Sequence, residues 1–208
     1  MRVKALRMFW LCMVLVALSA WTTAAQADTL ERDALLESLR DGGLVIYWRH
    51  AITDRSQRDR DFSDMTRCEL QRNLSEAGRA QARAMGEALI ALGVPLGEVI
   101  SSPFCRNIDT AELAFGRYRI EEDLFNWPPA PPGRKPQLIS ALREMLATPP
   151  PDPDTNTVLV GHNLNIRQAA DVRLEEGDMG IFQPLGDDGF RHLGNLTDRD
   201  LETLLRQR

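Results

Sequence analysis

The segment Leu44-Val45-Ile46-Tyr47-Trp48 is apolar without a break, the pattern of a strand buried on both faces of a parallel sheet. Just before it, Leu30, Ala34, Leu35 and Leu39 recur at helical spacing and predict a helix over residues 29–41, stopped by Gly42-Gly43. Residues 53–73 are polar, rich in Asp and Arg and without a period, and read as a loop. Ser75 then serves as an N-cap with Glu76 in the first turn. From there Ala77, Ala80, Ala84, Ala88, Leu89 and Leu92 form a helical stripe that Gly93 ends. Residues 98–101 predict a short strand. Ser102-Pro103 follows as cap and first helical residue of a helix reaching about Ala114.

The second half repeats the alternation. Residues 117–120 predict a strand, and 127–136 hold five prolines, a rigid extended loop. Residues 137–147 predict a helix ended by Pro149-Pro150-Pro151, 157–160 a strand and 165–172 a helix. Residues 180–185 and 190–193 predict a hairpin around Gly186-Asp187-Asp188-Gly189, and Thr197 caps a last helix. Strands alternating with helices give an α/β fold with a mostly parallel central sheet. No internal repeat and no boundary for a second domain stand out.

Composition changes the picture at the N-terminus. Arg2, Lys4 and Arg7 precede an almost wholly apolar run from Met8 to Ala20, and Ala25-Gln26-Ala27 offers small residues for cleavage. This is a secretory signal pattern over residues 1–27, with a domain over 28–208 and a periplasmic or secreted product. The other reading, an uncleaved anchor, requires a longer apolar stretch than this one. Cleavage leaves 22 basic against 30 acidic residues, so the net charge moves from −5 to −8. Such an acidic product is not built to bind nucleic acid, which requires a basic face. It also retains no membrane span. Cys68 and Cys105 are the cysteines left after cleavage, and an oxidising compartment permits a bridge between them. Two unpaired thiols are the alternative, since sequence does not give the distance. No oligomeric state follows from the pattern.

The candidate chemistry lies just past the strands. Arg49-His50-Ala51 follows the first apolar run, Arg106 ends the segment Ser101-Ser102-Pro103-Phe104-Cys105-Arg106, and Gly161-His162-Asn163 follows residues 158–160. Ligands of open α/β sheets bind beyond the carboxyl ends of the strands, so these residues are expected to meet at one sheet edge. Guanidinium groups match phosphoryl oxygens with paired hydrogen bonds and keep their charge. A neutral imidazole can attack phosphorus. The pattern therefore predicts a phosphate site with His50 as nucleophile, Arg49 and Arg106 as clamp and His162 steadying the transferred group. Taken singly, an Arg-His pair or a Gly-His-Asn triplet reads as structural; their order and placement point to function. The histidines lack metal-ligand spacing and no cysteine cluster joins them. No Gly-x-Ser-x-Gly turn for a serine hydrolase is present. His192 falls in the hairpin and reads as a surface residue.

These motifs, with Leu74-Ser75-Glu76-Ala77-Gly78-Arg79-Ala80-Gln81-Ala82 and Thr110-Ala111, resemble the histidine phosphatase superfamily, also called phosphoglycerate-mutase-like, over about residues 44–205. The resemblance implies a three-layer α/β/α sandwich. It implies a phosphoric monoester hydrolase with no cofactor and no metal, working through a phosphohistidine on His50. The short exported form resembles periplasmic phosphatases proposed to act on lipopolysaccharide core heptose phosphate, so the substrate is expected to be small or lipid-linked. The chain departs from the pattern at Ala51 and Ile52, where many members carry Gly and Glu. Many mutase-like members also place a proton-donating Glu where this chain has Asn126. Asp123, Glu122 or Asp54 are candidate substitutes; each also reads as an ordinary surface carboxylate. A missing acid favours good leaving groups such as phosphohistidine. The chain has no room for a large helical cap, which implies an open, shallow pocket. Arg134-Lys135 reads as an anion-attracting rim or as a solvated charge pair. The alternatives to an exported phosphomonoesterase are a protein phosphohistidine phosphatase and a non-catalytic phosphate-binding envelope module.

Overall fold

The computed structural model describes residues 30–207; the signal-like residues 1–27 lie outside them. The elements in chain order are α1 (Arg32–Asp41), β1 (Val45–Arg49), α2 (Glu76–Ala91), β2 (Leu96–Ser101), α3 (Cys105–Phe115) and β3 (Arg119–Ile120). The second half contributes α4 (Lys135–Ala147), β4 (Asn156–Gly161), α5 (Asn163–Ala170), β5 (Met179–Pro184), β6 (Phe190–Leu196) and α6 (Asp198–Arg206). One six-stranded sheet runs in the order β3-β2-β4-β1-β5-β6. The pairs β3/β2, β2/β4 and β4/β1 are parallel, and β5 and β6 close the sheet antiparallel.

The unbroken apolar run in β1 follows from its central place. Ile46 and Trp48 pack on one side with Leu35, Leu89 and Val158. Val45 and Tyr47 point the other way, toward Leu142, Leu159 and Ile166. All four β1 residues are fully buried. Each such side chain contributes about 1.5–3 kcal/mol of burial. Helices α1, α2, α3 and α6 cover the first face and α4 and α5 the second, which makes the three-layer α/β/α sandwich that the resemblance implies.

The sheet order positions the site. β2, β4 and β1 are neighbours and run the same way, so their carboxyl ends lie side by side. Arg49 is registered with Gly161, and Ser101 with Val160. Residues widely separated in sequence are thereby brought within a few strand spacings, each about 4.8 Å.

Two helix starts beside the site differ from the sequence expectation. α3 opens at Cys105 with Phe104 at its cap, so Ser102-Pro103 lies before the helix; the Ser102 hydroxyl is taken by His162 instead. α5 starts at Asn163, directly after His162. α2 does begin as expected, with the Ser75 hydroxyl accepting the Gly78 N–H. Glycine is required at 78 because a Cβ there would collide with the Ile52 carbonyl. That close approach sets the end of α2 directly under the segment that carries His50.

Candidate active site

His50 follows β1 and His162 follows β4, and the two imidazoles meet edge to face with centroids 5.7 Å apart. The Phe104 ring ties in the third element. It lies 4.8 Å from the His162 ring, and the Arg106 guanidinium stacks on it at 4.4 Å. Both histidines and Arg106 are buried. The structure thus brings together His50, His162 and Arg106 by contact, with Arg49 next to His50 at the end of β1.

The His50 ring has a defined tautomer. Its Nδ1 lies 3.0 Å from the Ala51 carbonyl oxygen. A carbonyl can only accept, so Nδ1 carries the proton and Nε2 the lone pair. The backbone around it is pinned from three sides. The His50 N–H donates to the Gly161 carbonyl and its own carbonyl accepts from the Gly177 N–H. The Ala51 N–H donates to the Thr110 hydroxyl, which in turn donates to the Arg106 carbonyl. Burial, and then the nearby Arg106 charge, push the His50 pKa well below its ordinary value of 6.5. The same causes, with His50 added, depress His162. Both imidazoles are therefore neutral at and below neutral pH, as a nitrogen nucleophile requires.

That depression has a signed consequence for stability. Below pH 6.5 the unfolded chain takes up protons on these two histidines that the native state does not. Stability present above pH 6.5 is then lost as the pH falls, by up to about 1.4 kcal/mol per pH unit and group. Melting temperature measured from pH 8 to 5 is expected to decline below 6.5, less steeply with saturating phosphate.

His162 is held by residues read as core or cap. Tyr47 is fully buried; its hydroxyl accepts the His162 N–H at 2.8 Å and donates to the His162 carbonyl at 3.0 Å. Burial raises the Tyr47 pKa, so it stays protonated for this task. The His162 Nε2 lies 2.8 Å from the Ser102 hydroxyl, and its Nδ1 is buried with no protein partner. Tyr47→Phe leaves the His162 N–H unpaired, while the His162 carbonyl keeps the Asn165 and Ile166 N–H groups, and is expected to cost about 1–3 kcal/mol in chemical denaturation. Turnover should fall with it.

The cations show how an anion would be held. Arg106 is 2% exposed at its side chain and its Nη1 donates to Asp59 at 3.0 Å and to the Arg72 carbonyl at 3.3 Å. Burial brings its pKa down to about 10, so it keeps its charge. Arg49 donates to the Leu174 carbonyl at 2.7 Å and faces Glu175 and Glu176 at 3.7 Å. The Nε groups of Arg49, Arg106 and Arg72 are all buried without a protein partner. An unpaired buried donor costs about 1–3 kcal/mol. Buried, unpaired donors of this kind suit an anion.

Arg72 and Glu176 were not singled out from the sequence. Arg72 sits in the polar loop after β1, and Glu176 in the turn between α5 and β5. Glu176 accepts from the Thr53 hydroxyl at 2.7 Å and faces both Arg49 and Arg72. A charged residue in an aperiodic loop carries no local signal of such a role; only the pairing across the site reveals it.

Of the carboxylates expected as candidate proton donors, Asp54 and Asp123 have side-chain partners. Asp54 is half-buried and accepts from the Ser56 hydroxyl and N–H and from Gln57. Its pKa is held below the usual carboxylate range, chiefly by the Ser56 hydroxyl. Glu122 is exposed, and Asp123 faces Arg134 at 3.7 Å. Asp123 lines a groove with Glu98, Arg119 and Glu144 that none of the four site residues shares. Asn126 has a buried, unpartnered Oδ1. Lys135 lies over the Trp127 ring at 3.9 Å. His192 is half-buried, packed against the Phe182 ring and hydrogen-bonded to Asn195. Among the described residues no three His, Cys, Asp or Glu side chains group as metal ligands, and no helix is long and apolar enough to cross a membrane.

Cys68 and Cys105 form a disulfide, with Cα atoms 5.7 Å apart. It fastens the loop of residues 54–73 to the first residue of α3. The same loop supplies Asp59 to Arg106, and its Gln71 accepts the Cys105 N–H. Replacing both cysteines by serine opens a loop of 37 residues and is expected to cost about 3–4 kcal/mol on the chain-entropy model. Thermal melting of the double variant reads that loss directly.

A family model described as histidine phosphatase superfamily (branch 1) matches residues 45–126. No curated protein matches the chain. Among solved structures, the protein histidine phosphatase SixA complexed with tungstate matches at TM-score 0.53 and 15% identity, covering 76% of this chain and 99% of that one. A mycobacterial glucosyl-3-phosphoglycerate phosphatase with bound VO3 matches at TM-score 0.51 and 20% identity, covering 73% and 97%. A phosphoserine phosphatase variant from Entamoeba histolytica with bound phosphoserine gives 0.51 and 13%, covering 76% and 98%. These likenesses establish a shared fold.

Proposed function

We propose, from a chain that the family match and its fold neighbours support as a member of the histidine phosphatase superfamily and as a phosphoric monoester hydrolase, that it is an exported phosphomonoesterase acting through a phosphohistidine on His50. One observation carries this reading: a buried, neutral imidazole with its Nε2 lone pair free stands beside a second imidazole and unpaired guanidinium donors. In the reaction, His50 Nε2 attacks phosphorus while the bond to the leaving oxygen breaks, and the electron pair departs with that oxygen. Arg49 and Arg106 hold the non-bridging oxygens, and His162 Nδ1 faces the same group. Water then attacks the phosphorus of the phosphohistidine, the P–N bond breaks, and inorganic phosphate leaves. Positioning and charge stabilisation dominate such transfers.

Export is supported by the signal pattern in residues 1–27 and by the disulfide, which suits an oxidising compartment. A small or lipid-linked phosphorylated substrate is our reading of the short, cap-free chain; a lipopolysaccharide heptose phosphate is one such substrate. A second reading, hydrolysis of protein phosphohistidine, is favoured by Asn126 at the position of the usual acid, since imidazole is a better leaving group than an alkoxide.

The test is hydrolysis of a chromogenic aryl phosphate by purified protein across pH 4–8 with chelator present. Turnover is expected to survive the chelator. With both histidines depressed, kcat/KM should hold its value down through pH 6.5 and fall only below the ordinary histidine range. Phosphate binding without hydrolysis of ester or phosphohistidine substrates would leave only a non-catalytic module. Comparing the aryl ester with a phosphohistidine peptide separates the two enzyme readings.

A further inference from the structure

The site holds a third guanidinium, Arg72, that the two-arginine clamp does not use. Its backbone belongs to the Arg106 side: the Arg72 N–H donates to Asp59 at 2.9 Å, and its carbonyl accepts from Arg106 Nη1 at 3.3 Å. Its side chain reaches the other way, to Glu176 at 3.9 Å, and the same Glu176 oxygen faces Arg49 at 3.7 Å. Arg72 therefore spans the site from one clamp arginine to the other. Its Nε is buried and unpaired, like those of Arg49 and Arg106. The exposures place it in depth. The Arg106 side chain is 2% exposed and Arg49 16%, whereas Arg72 is 34% exposed and so is the outermost of the three. Glu176, 9% exposed, is fixed from behind by the Thr53 hydroxyl and sits between the two arginines. With Asp59 and the exposed Glu175, which also faces Arg49 at 3.7 Å, three carboxylates stand against the three cations.

We infer that Arg72 is a third phosphate-binding guanidinium, positioned by Glu176, and that it makes the site select groups with three free phosphoryl oxygens over diesters. The inference rests on the phosphate site proposed above. Three guanidinium groups match the three non-bridging oxygens of a monoester dianion. A diester has one fewer such oxygen and one fewer charge, so it leaves the outermost guanidinium without a partner. Arg72 also lowers the pKa values of His50, His162 and Arg106, which fits a cation facing the same volume.

The experiment is calorimetric titration of the protein with inorganic phosphate and with dimethyl phosphate, for wild type, Arg72→Met, Arg72→Lys and Glu176→Gln. Wild type should prefer inorganic phosphate. Arg72→Met should weaken phosphate binding about tenfold or more and dimethyl phosphate binding far less, with an unchanged melting temperature. Arg72→Lys should recover part of the loss. Glu176→Gln should weaken phosphate binding although it removes a negative charge, because the arginines lose their spacer; a merely electrostatic role would strengthen binding instead. If wild type binds phosphate and Arg72→Met binds it equally well, the inference is overturned while the phosphatase reading stands. If phosphate binds and depends on Arg72 but no substrate is hydrolysed, the inference stands and the phosphatase reading falls. Wild type that binds no phosphate overturns both.

Discussion

His50→Ala is expected to lower turnover of an aryl phosphate by about a thousandfold or more, while inorganic phosphate still binds. The two effects separate because the residues divide the work. On the proposed mechanism His50 supplies the lone pair that forms the new bond to phosphorus; its Nδ1 proton is committed to the Ala51 carbonyl. Binding rests on guanidinium groups that the substitution leaves in place. The backbone at residue 50 is held through its N–H and carbonyl by Gly161 and Gly177, and alanine preserves both bonds. Folding should therefore survive, which thermal melting checks. A variant that keeps wild-type turnover would remove His50 from the mechanism.

Arg106→Gln is expected to lower kcat/KM by about 10²–10³-fold and to loosen the loop of residues 54–73. Arg106 does two things at once. Its Nε is buried without a protein partner, and its Nη1 holds both Asp59 and the Arg72 carbonyl. Losing the charge leaves Asp59 with only the Arg72 N–H, so the loop that carries Arg72 keeps Gln71 and the disulfide as its ties to α3 but loses the Arg106 contacts. Arg106→Lys should restore little, because a single ammonium cannot reach Asp59 and an oxyanion in the same fork geometry. Steady-state kinetics and limited proteolysis of the loop read the two losses separately.

The parts of this site that sequence revealed are those written in local patterns. The apolar run of β1 is continuous because the strand is covered on both faces, and that continuity located the end of the strand and hence His50. β2 and β4 were legible in the same way, so the convergence of Arg106 and His162 on His50 followed from parallel topology alone. What stayed hidden depends on partners far along the chain. Tyr47 reads as one more apolar residue of a buried strand, yet its hydroxyl holds both backbone groups of His162. Ser102 before Pro103 has the signature of a helix cap, but its hydroxyl goes to an imidazole 60 residues away. Arg72 and Glu176 lie in loops with no period, where a charged side chain is the ordinary expectation. Asp54 accepts locally from the Ser56 hydroxyl, a turn contact that the polar, aperiodic pattern of its loop does not mark.

The most direct measurement is rapid quenching of the enzyme during turnover of a phosphate monoester, followed by mapping of the bound phosphate by mass spectrometry under alkaline conditions that preserve phosphoramidates. The expected result is one phosphoryl group on His50, labile to acid and absent from His50→Ala. A phosphoryl group on any other residue, or full turnover with direct transfer to water and no phosphoenzyme, would contradict it.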